Sequence, residues 1–164
     1  MGDYVAHPGH GGCTIQGICD RNFGGASRKY FILIPKTDPN TTILAPVENV
    51  EKIGLREIIS EEKADQILSY ITYAEVDWVS DHAKRRNAYE ATLKDGNLKS
   101  IAKMIKELTV HGQEATLNHC DKEILPKAQK RLYSEIALAK GIEVDSVLVL
   151  MNQAIRYTQS VPLQ

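Results

Sequence analysis

No apolar run in this chain approaches the roughly 20 residues of a membrane-spanning helix. No basic-then-apolar stretch follows Met1-Gly2-Asp3, so no secretory signal is read there. Ala6 stands where a myristoylation signal carries Ser or Thr. Cysteine is scarce: three residues, an odd number, do not make a disulfide framework, and a reducing cytoplasm is the expected location. Neither charge is in excess, since 20 Lys+Arg oppose 21 Asp+Glu for a net −1. That excludes a uniformly basic nucleic-acid coat but leaves room for a local basic patch. Internal repeats and low-complexity segments are missing, and there is one tryptophan. What is present is the normal balance of a soluble globular protein, with 43% apolar and 25% charged residues. A length of 164 residues suits one domain, or a small domain with a helical partner.

The two parts of the chain follow different rules. Residues 1–59 read as short strands separated by Gly and Pro. Asp3–His7 is stopped by Pro8-Gly9. Cys13–Cys19 alternates, which puts Cys13, Ile15 and Cys19 on one face. Gly24-Gly25 is a tight-turn signal before Lys29–Ile34, which Pro35 closes. Thr41–Ala45 is closed by Pro46. This spacing predicts a small antiparallel barrel or curled sheet. From Ser60 the period becomes helical, with Ser60 as N-cap and Ala64, Ile67, Leu68 and Ile71 at i, i+3, i+4, i+7. A second helix is expected from Ser80-Asp81 to Lys94, ended by Gly96. A third carries Leu98, Ile101, Ala102, Ile105 and Leu108, and His111–Cys120 reads as irregular. A fourth carries Leu125, Ala128, Leu132 and Ile136, with Pro126 in its first turn or kinking it. A fifth runs from about Val144 to Tyr157. A barrel of this size is marginal alone, so it is expected to pack on its neighbour or be completed by a partner.

Charge is uneven along the chain. Residues 1–59 are net 0, 60–80 are net −4, 81–140 are net +4 and 141–164 are net −1. Within the positive stretch, Lys84-Arg85-Arg86 opens the second helix, and Lys99, Lys103 and Lys106 recur opposite the third helix's apolar stripe. Such a lysine stripe is ordinarily a solvated helix face; the sharper alternative is a phosphate-contacting surface, for which the arginine cluster is better suited because a guanidinium binds phosphate bidentately. Trp78, seven residues before Arg85, is either a core aromatic at a helix junction or an apolar wedge of the kind minor-groove binders use.

Other chemistry finds little support. His7, His10, Cys13 and Cys19 do not have the short paired spacing of a structural zinc site, so no metal is expected. Gly9-His10-Gly11-Gly12 precedes no helix, which argues against a phosphate loop. No nucleophile, base and oxyanion donor converge, so no catalytic residue, cofactor or small-molecule substrate is assigned.

Several segments together resemble a known family. They are Gly2-Asp3-Tyr4-Val5 with His7-Pro8-Gly9-His10-Gly11, then Gly24-Gly25 before Lys29-Tyr30-Phe31-Ile32-Leu33. Thr42–Asn49, containing Pro46-Val47-Glu48-Asn49, and Gly54-Leu55-Arg56-Glu57-Ile58-Ile59-Ser60 follow. In the helical half, Arg85-Arg86, Asp95-Gly96-Asn97, Ile101-Ala102 and Glu135–Ala139 match more loosely. These segments resemble the CarD/CdnL/TRCF family of bacterial transcription regulators. The resemblance implies an α+β architecture, with a Tudor-like small antiparallel barrel over residues 1–57 and an all-helical domain of about five helices over 58–160. It implies a bacterial, cytoplasmic protein that docks on the RNA polymerase β subunit and stabilises the open promoter complex at the upstream edge of the bubble. The docking surface it implies is Arg21, Ile32, Leu44 and Pro46, working by strand addition with a few apolar anchors. The DNA surface it implies is Trp78 with Lys84, Arg85 and Arg86 in the minor groove, and Lys99 and Lys103 as outer phosphate contacts. In family members the tryptophan stands closer to the Arg-Arg pair; the extra spacing here is about one helical turn. The alternative is a polymerase-binding adaptor that never touches DNA, suggested by the acidic 60–80 stretch.

Overall fold

The computed structural model describes residues 3–160, so Gly2, at the start of the first quoted motif, lies outside the described residues. Five strands come first: β1 (Tyr4–His7), β2 (Gly11–Phe23), β3 (Ala26–Pro35), β4 (Ile43–Pro46) and β5 (Arg56–Glu57). Five helices follow: α1 (Glu61–Tyr73), α2 (His82–Asp95), α3 (Leu98–Glu114), α4 (His119–Lys140) and α5 (Val144–Ser160). The strands form one antiparallel Tudor-like sheet in the order β4-β3-β2-β1-β5. Its central hairpin turns at Gly24-Gly25, whose φ values of 65° and 87° suit a tight two-residue turn that L side chains resist.

A bulge between Ile15 and Gly17 resets the alternation of β2. Before it, Cys13 and Ile15 face inward; beyond it the parity is reversed. Cys19, opposite Tyr30, therefore does not share the face of Cys13, contrary to the plain alternation of the sequence. Cys13 is fully buried with Leu33, Ala45 and Leu55, and Val50 and Ile53 of the β4–β5 connection pack on the same cluster. Burial pushes the Cys13 thiol up to about 11, in keeping with its place in this core cluster.

The helices start where local chemistry supplies caps. Ser60, Asp81, Asn97 and Asn118 each accept a hydrogen bond from the backbone N–H three residues on. Gly96 and Gly141 end α2 and α4 in the left-handed conformation. The larger core gathers Ile67 and Ile71 of α1, Ile101, Ile105 and Leu108 of α3, Leu132 and Ile136 of α4, and Met151 and Ile155 of α5. Helix α3 continues to Glu114, so only 115–118 is irregular, because Val110 and Leu117 still pack on this core. Pro126 lies inside α4 rather than in its first turn, which leaves the Lys122 carbonyl without its helical N–H partner.

The sheet sits on α4 at very short range. The Gly12 N–H donates to the Ser134 hydroxyl at 2.8 Å, and a Cβ on Gly12 would lie 2.8 Å from the Ser134 carbonyl oxygen and from a Leu138 methyl. Beside this contact the buried Glu135 carboxylate accepts from Arg56 at 2.5 and 3.0 Å and from the Ile59 N–H at 3.0 Å.

Gly12→Ala is expected to destabilise the protein by about 1–3 kcal/mol, the usual cost of overpacking a filled contact. Gly17→Ala, with no atom within 4 Å of the added Cβ, provides the control. Thermal melts of the two variants check this, and equal melting temperatures would show that the Gly12 contact relaxes freely.

Candidate functional site

The residues expected at functional sites lie on two surfaces. The first is the outer face of the sheet. Ile32 lies opposite Leu44, Tyr30 opposite Pro46, and Arg21 opposite Arg28. Beyond the bulge these pairs have the same parity, so Arg21, Ile32, Leu44 and Pro46 are brought to one face. Strand β4 is an end strand, and among the described residues no strand pairs with its far side. Ile32, Leu44 and Pro46 are half-buried and Arg21 is exposed. Arg28 joins this face although sequence reasoning missed it; the signal was its register opposite Arg21, which depends on the bulge. Like charges directly opposed across two strands disfavour the free state, and neither arginine forms an ion pair among the described residues.

The second surface is the strap of residues 74–81 between α1 and α2, which carries Trp78. Helix α3 and Arg85 pin it at successive points. Lys106 Nζ donates to the carbonyls of Ile71 and Ala74 at 2.7 and 2.6 Å. Lys103 Nζ meets Asp77 at 2.8 Å, and Glu107 Oε1 accepts from the Asp77 N–H at 3.3 Å. The Trp78 indole stacks on His111 with ring centroids 3.6 Å apart and planes 10° from parallel. The Arg85 guanidinium lies 4.2 Å from the indole centroid and donates to the Val79 carbonyl at 2.6 Å. Its remaining donors engage Asp121 at 3.2 and 2.6 Å and His82 Nδ1 at 2.9 Å.

These contacts sort the basic residues. Arg85 is 2% exposed and its donors are occupied, so it is a positioning residue for the strap; the expectation that it faces outward to phosphate is corrected. Lys106, expected on the solvated lysine face, is 1% exposed and caps the C-terminal end of α1, where a cation is favoured by the helix dipole. Burial lowers its pKa. Lys103 is held by Asp77, whose hydrogen bond raises the lysine pKa. Lys84 and Lys99 are exposed, and Arg86 is exposed with Glu90 at 2.8 Å. Trp78 is half-buried against the helical core. Below the strap, the buried Glu107 also accepts from the Tyr89 hydroxyl at 3.0 Å, and burial raises the pKa of both groups. Asp121, Glu107 and His111 were missed by sequence reasoning, and no motif spacing marks them: Asp121 is 36 residues from Arg85.

A strand module with an open sheet edge, joined to a helical module with a pinned strap, defines a two-module architecture. The strand module matches the CarD-like/TRCF RID domain over residues 1–59, and the helical module matches the CarD C-terminal domain over residues 57–152. The chain belongs to the CarD family, which comprises transcription regulators rather than a class of enzymes. It is also similar to the protein named "Putative transcription factor YdeB" of Bacillus subtilis (strain 168), 24% identical over 142 residues, which span 87% of this chain and 92% of that one. Among the described residues, no helix is long and apolar enough to cross a membrane, and no three His, Cys, Asp or Glu side chains cluster as a metal site.

Asp121→Ala strips the buried Arg85 of its counter-ion and should cost about 3–5 kcal/mol of stability, with a change in Trp78 emission as the strap loosens. Chemical denaturation followed by tryptophan fluorescence measures both. A second expectation concerns pH. Because the folded-state pKa of Glu107 is raised, its contribution is fully present below its unfolded pKa and is lost as pH rises through the folded value. Wild-type stability should therefore fall relative to Glu107→Gln as pH climbs above the ordinary carboxylate range, and parallel melts across pH would show no divergence if the carboxylate were relieved by solvent.

Proposed function

We propose that this protein docks on the β subunit of bacterial RNA polymerase through the outer sheet face beside β4, and from there acts on promoter DNA to stabilise the open complex. The observation that carries the reading is that Arg21, Ile32, Leu44 and Pro46, scattered over three strands, share one face next to an unpaired strand edge. An open edge supplies backbone hydrogen bonds to a partner strand, and the apolar side chains beside it supply selectivity. Arg28 extends the basic end of that face.

The DNA contact in this proposal rests on Lys84 and Arg86 of α2 and on Lys99 of α3, with Lys103 drawn partly out of play by Asp77. Trp78 and Arg85 contribute by setting the course of the strap; insertion of the indole into a groove requires it first to leave His111 and Arg85. The second reading, an adaptor without DNA contact, is favoured by the acids on the strap itself, Glu75, Asp77 and Asp81, which flank Trp78 and repel phosphate.

Leu44→Glu should abolish capture of the polymerase β subunit while leaving the melting temperature unchanged; normal capture by the folded variant would move the docking surface elsewhere. Lys84→Ala and Arg86→Ala should each lower the salt slope of promoter binding by about 1 while sparing β-subunit capture. A slope of zero in the wild type would decide for the adaptor.

A further inference from the structure

The C-terminal end of α1 borders a hollow that meets the strap only at Ala74 and lies away from the sheet face. Its volume is about 480 Å³, and it is lined by Gln66, Ser69, Tyr70, Tyr73, Ala74 and Lys99. Gln66, Ser69, Tyr70 and Tyr73 recur at i, i+3, i+4 and i+7, so they stand on one side of the helix. The Tyr73 ring is 74% exposed and meets Tyr157 of α5 edge to face, with centroids 6.5 Å apart, so Tyr73 retains open π-surface. Lys99, at the start of α3, holds its ammonium 5.7 Å from the Tyr70 ring centroid. Among the described residues no carboxylate pairs with Lys99, whereas its helix neighbours Lys103 and Lys106 are engaged by Asp77 and by the end of α1.

A hollow that combines an exposed aromatic ring, an available ammonium, an amide and a hydroxyl suits a ligand with a flat π-system and an anionic group. Single-strand nucleic-acid sites are built this way, with cations along the backbone and aromatic rings under the bases. A duplex conceals its base faces in its own stack, so only an unpaired nucleotide offers a face to Tyr73.

We propose that this hollow receives one unpaired nucleotide, its base stacked on Tyr73 and its phosphate at Lys99. Gln66 and Ser69 supply hydrogen bonds to the base edge without a fixed sequence code. The assignment draws on the DNA-contact reading only for the origin of the strand, the opened promoter, and is independent of docking through the sheet.

The test is fluorescence anisotropy with the full chain and a dye-labelled oligothymidylate of about a dozen nucleotides, within the ~4–16 typical of single-strand modules. A duplex of equal length and unlabelled thymidine monophosphate form the other arms. Salt-sensitive oligothymidylate binding is expected, weakened about ten-fold by Tyr73→Ala and by Lys99→Ala, and largely kept by Tyr73→Phe. Duplex binding should be unchanged by Tyr73→Ala and Tyr73→Phe, whereas Lys99→Ala, which also removes a phosphate contact, should weaken it modestly. Competition by thymidine monophosphate at similar affinity would assign the site to free nucleotides, and its failure to compete would assign it to a strand; both support nucleotide recognition. Absence of any binding that depends on Tyr73 and Lys99 would overturn the proposal. So would a photo-crosslinker at position 73 that reaches only protein in the polymerase–promoter complex. Capture of the β subunit, measured on the same variants, separates the two ideas: Tyr73→Ala should retain it, and Leu44→Glu should lose it while still binding oligothymidylate.

Discussion

The buried Glu135 carboxylate on α4 is the interaction on which the arrangement of the two modules depends. It accepts two hydrogen bonds from Arg56 at the end of the sheet and one from the Ile59 N–H in the connection to α1. One residue earlier on the same helix, the Ser134 hydroxyl receives the Gly12 N–H, and only glycine leaves room for that approach. A buried carboxylate with three hydrogen bonds is tolerated, whereas one deprived of its arginine is strongly disfavoured. Sheet, connection and helix are thus held to one relative placement. The strand module needs this support, because among the described residues its own buried apolar cluster is small, made of Cys13, Leu33, Ala45 and Leu55.

Helix α4 extends the same control to α2. Asp121, near its start, grips Arg85 at the start of α2, and Arg131 donates to the Leu93 carbonyl near the end of α2. Two anchors about two helical turns apart define both the position and the direction of α2. The strap that precedes α2 inherits this placement through the Arg85 contacts to Val79 and Trp78. Basic residues therefore divide by depth. Arg85, Lys106 and Arg131 spend their donors on carbonyls and carboxylates inside the fold, while Lys84, Arg86 and Lys99 remain at the surface.

This division explains why a family-level comparison carries the architecture more securely than individual contacts. The Arg85-Arg86 pair looks like one cluster in the sequence, yet its two members perform different work one residue apart. A helix rotates about 100° per residue, so neighbours point to different environments. Arg85 turns toward Asp121 and Arg86 toward Glu90. The same reasoning applies to Lys103 and Lys106, which lie on α3 near the strap but meet a carboxylate and two carbonyls respectively.

The sequence by itself determined the features that depend on near neighbours. The change of period at Ser60, its role as an N-cap, the start of α2 near Asp81, the turn at Gly24-Gly25 and the apolar stripe of α3 were all legible, since each is set by residues within a turn or a strand pair. The grouping of Arg21, Ile32, Leu44 and Pro46 was suggested by family resemblance; the bulge at Ile15/Gly17 gives it a physical basis and separates Cys19 from Cys13. Tertiary structure alone decided the fates of Trp78, Arg85 and Lys106. Their partners His111, Asp121 and the carbonyls of Ile71 and Ala74 lie roughly 30 or more residues away in the chain, and burial of a polar group is settled by such distant partners rather than by local pattern.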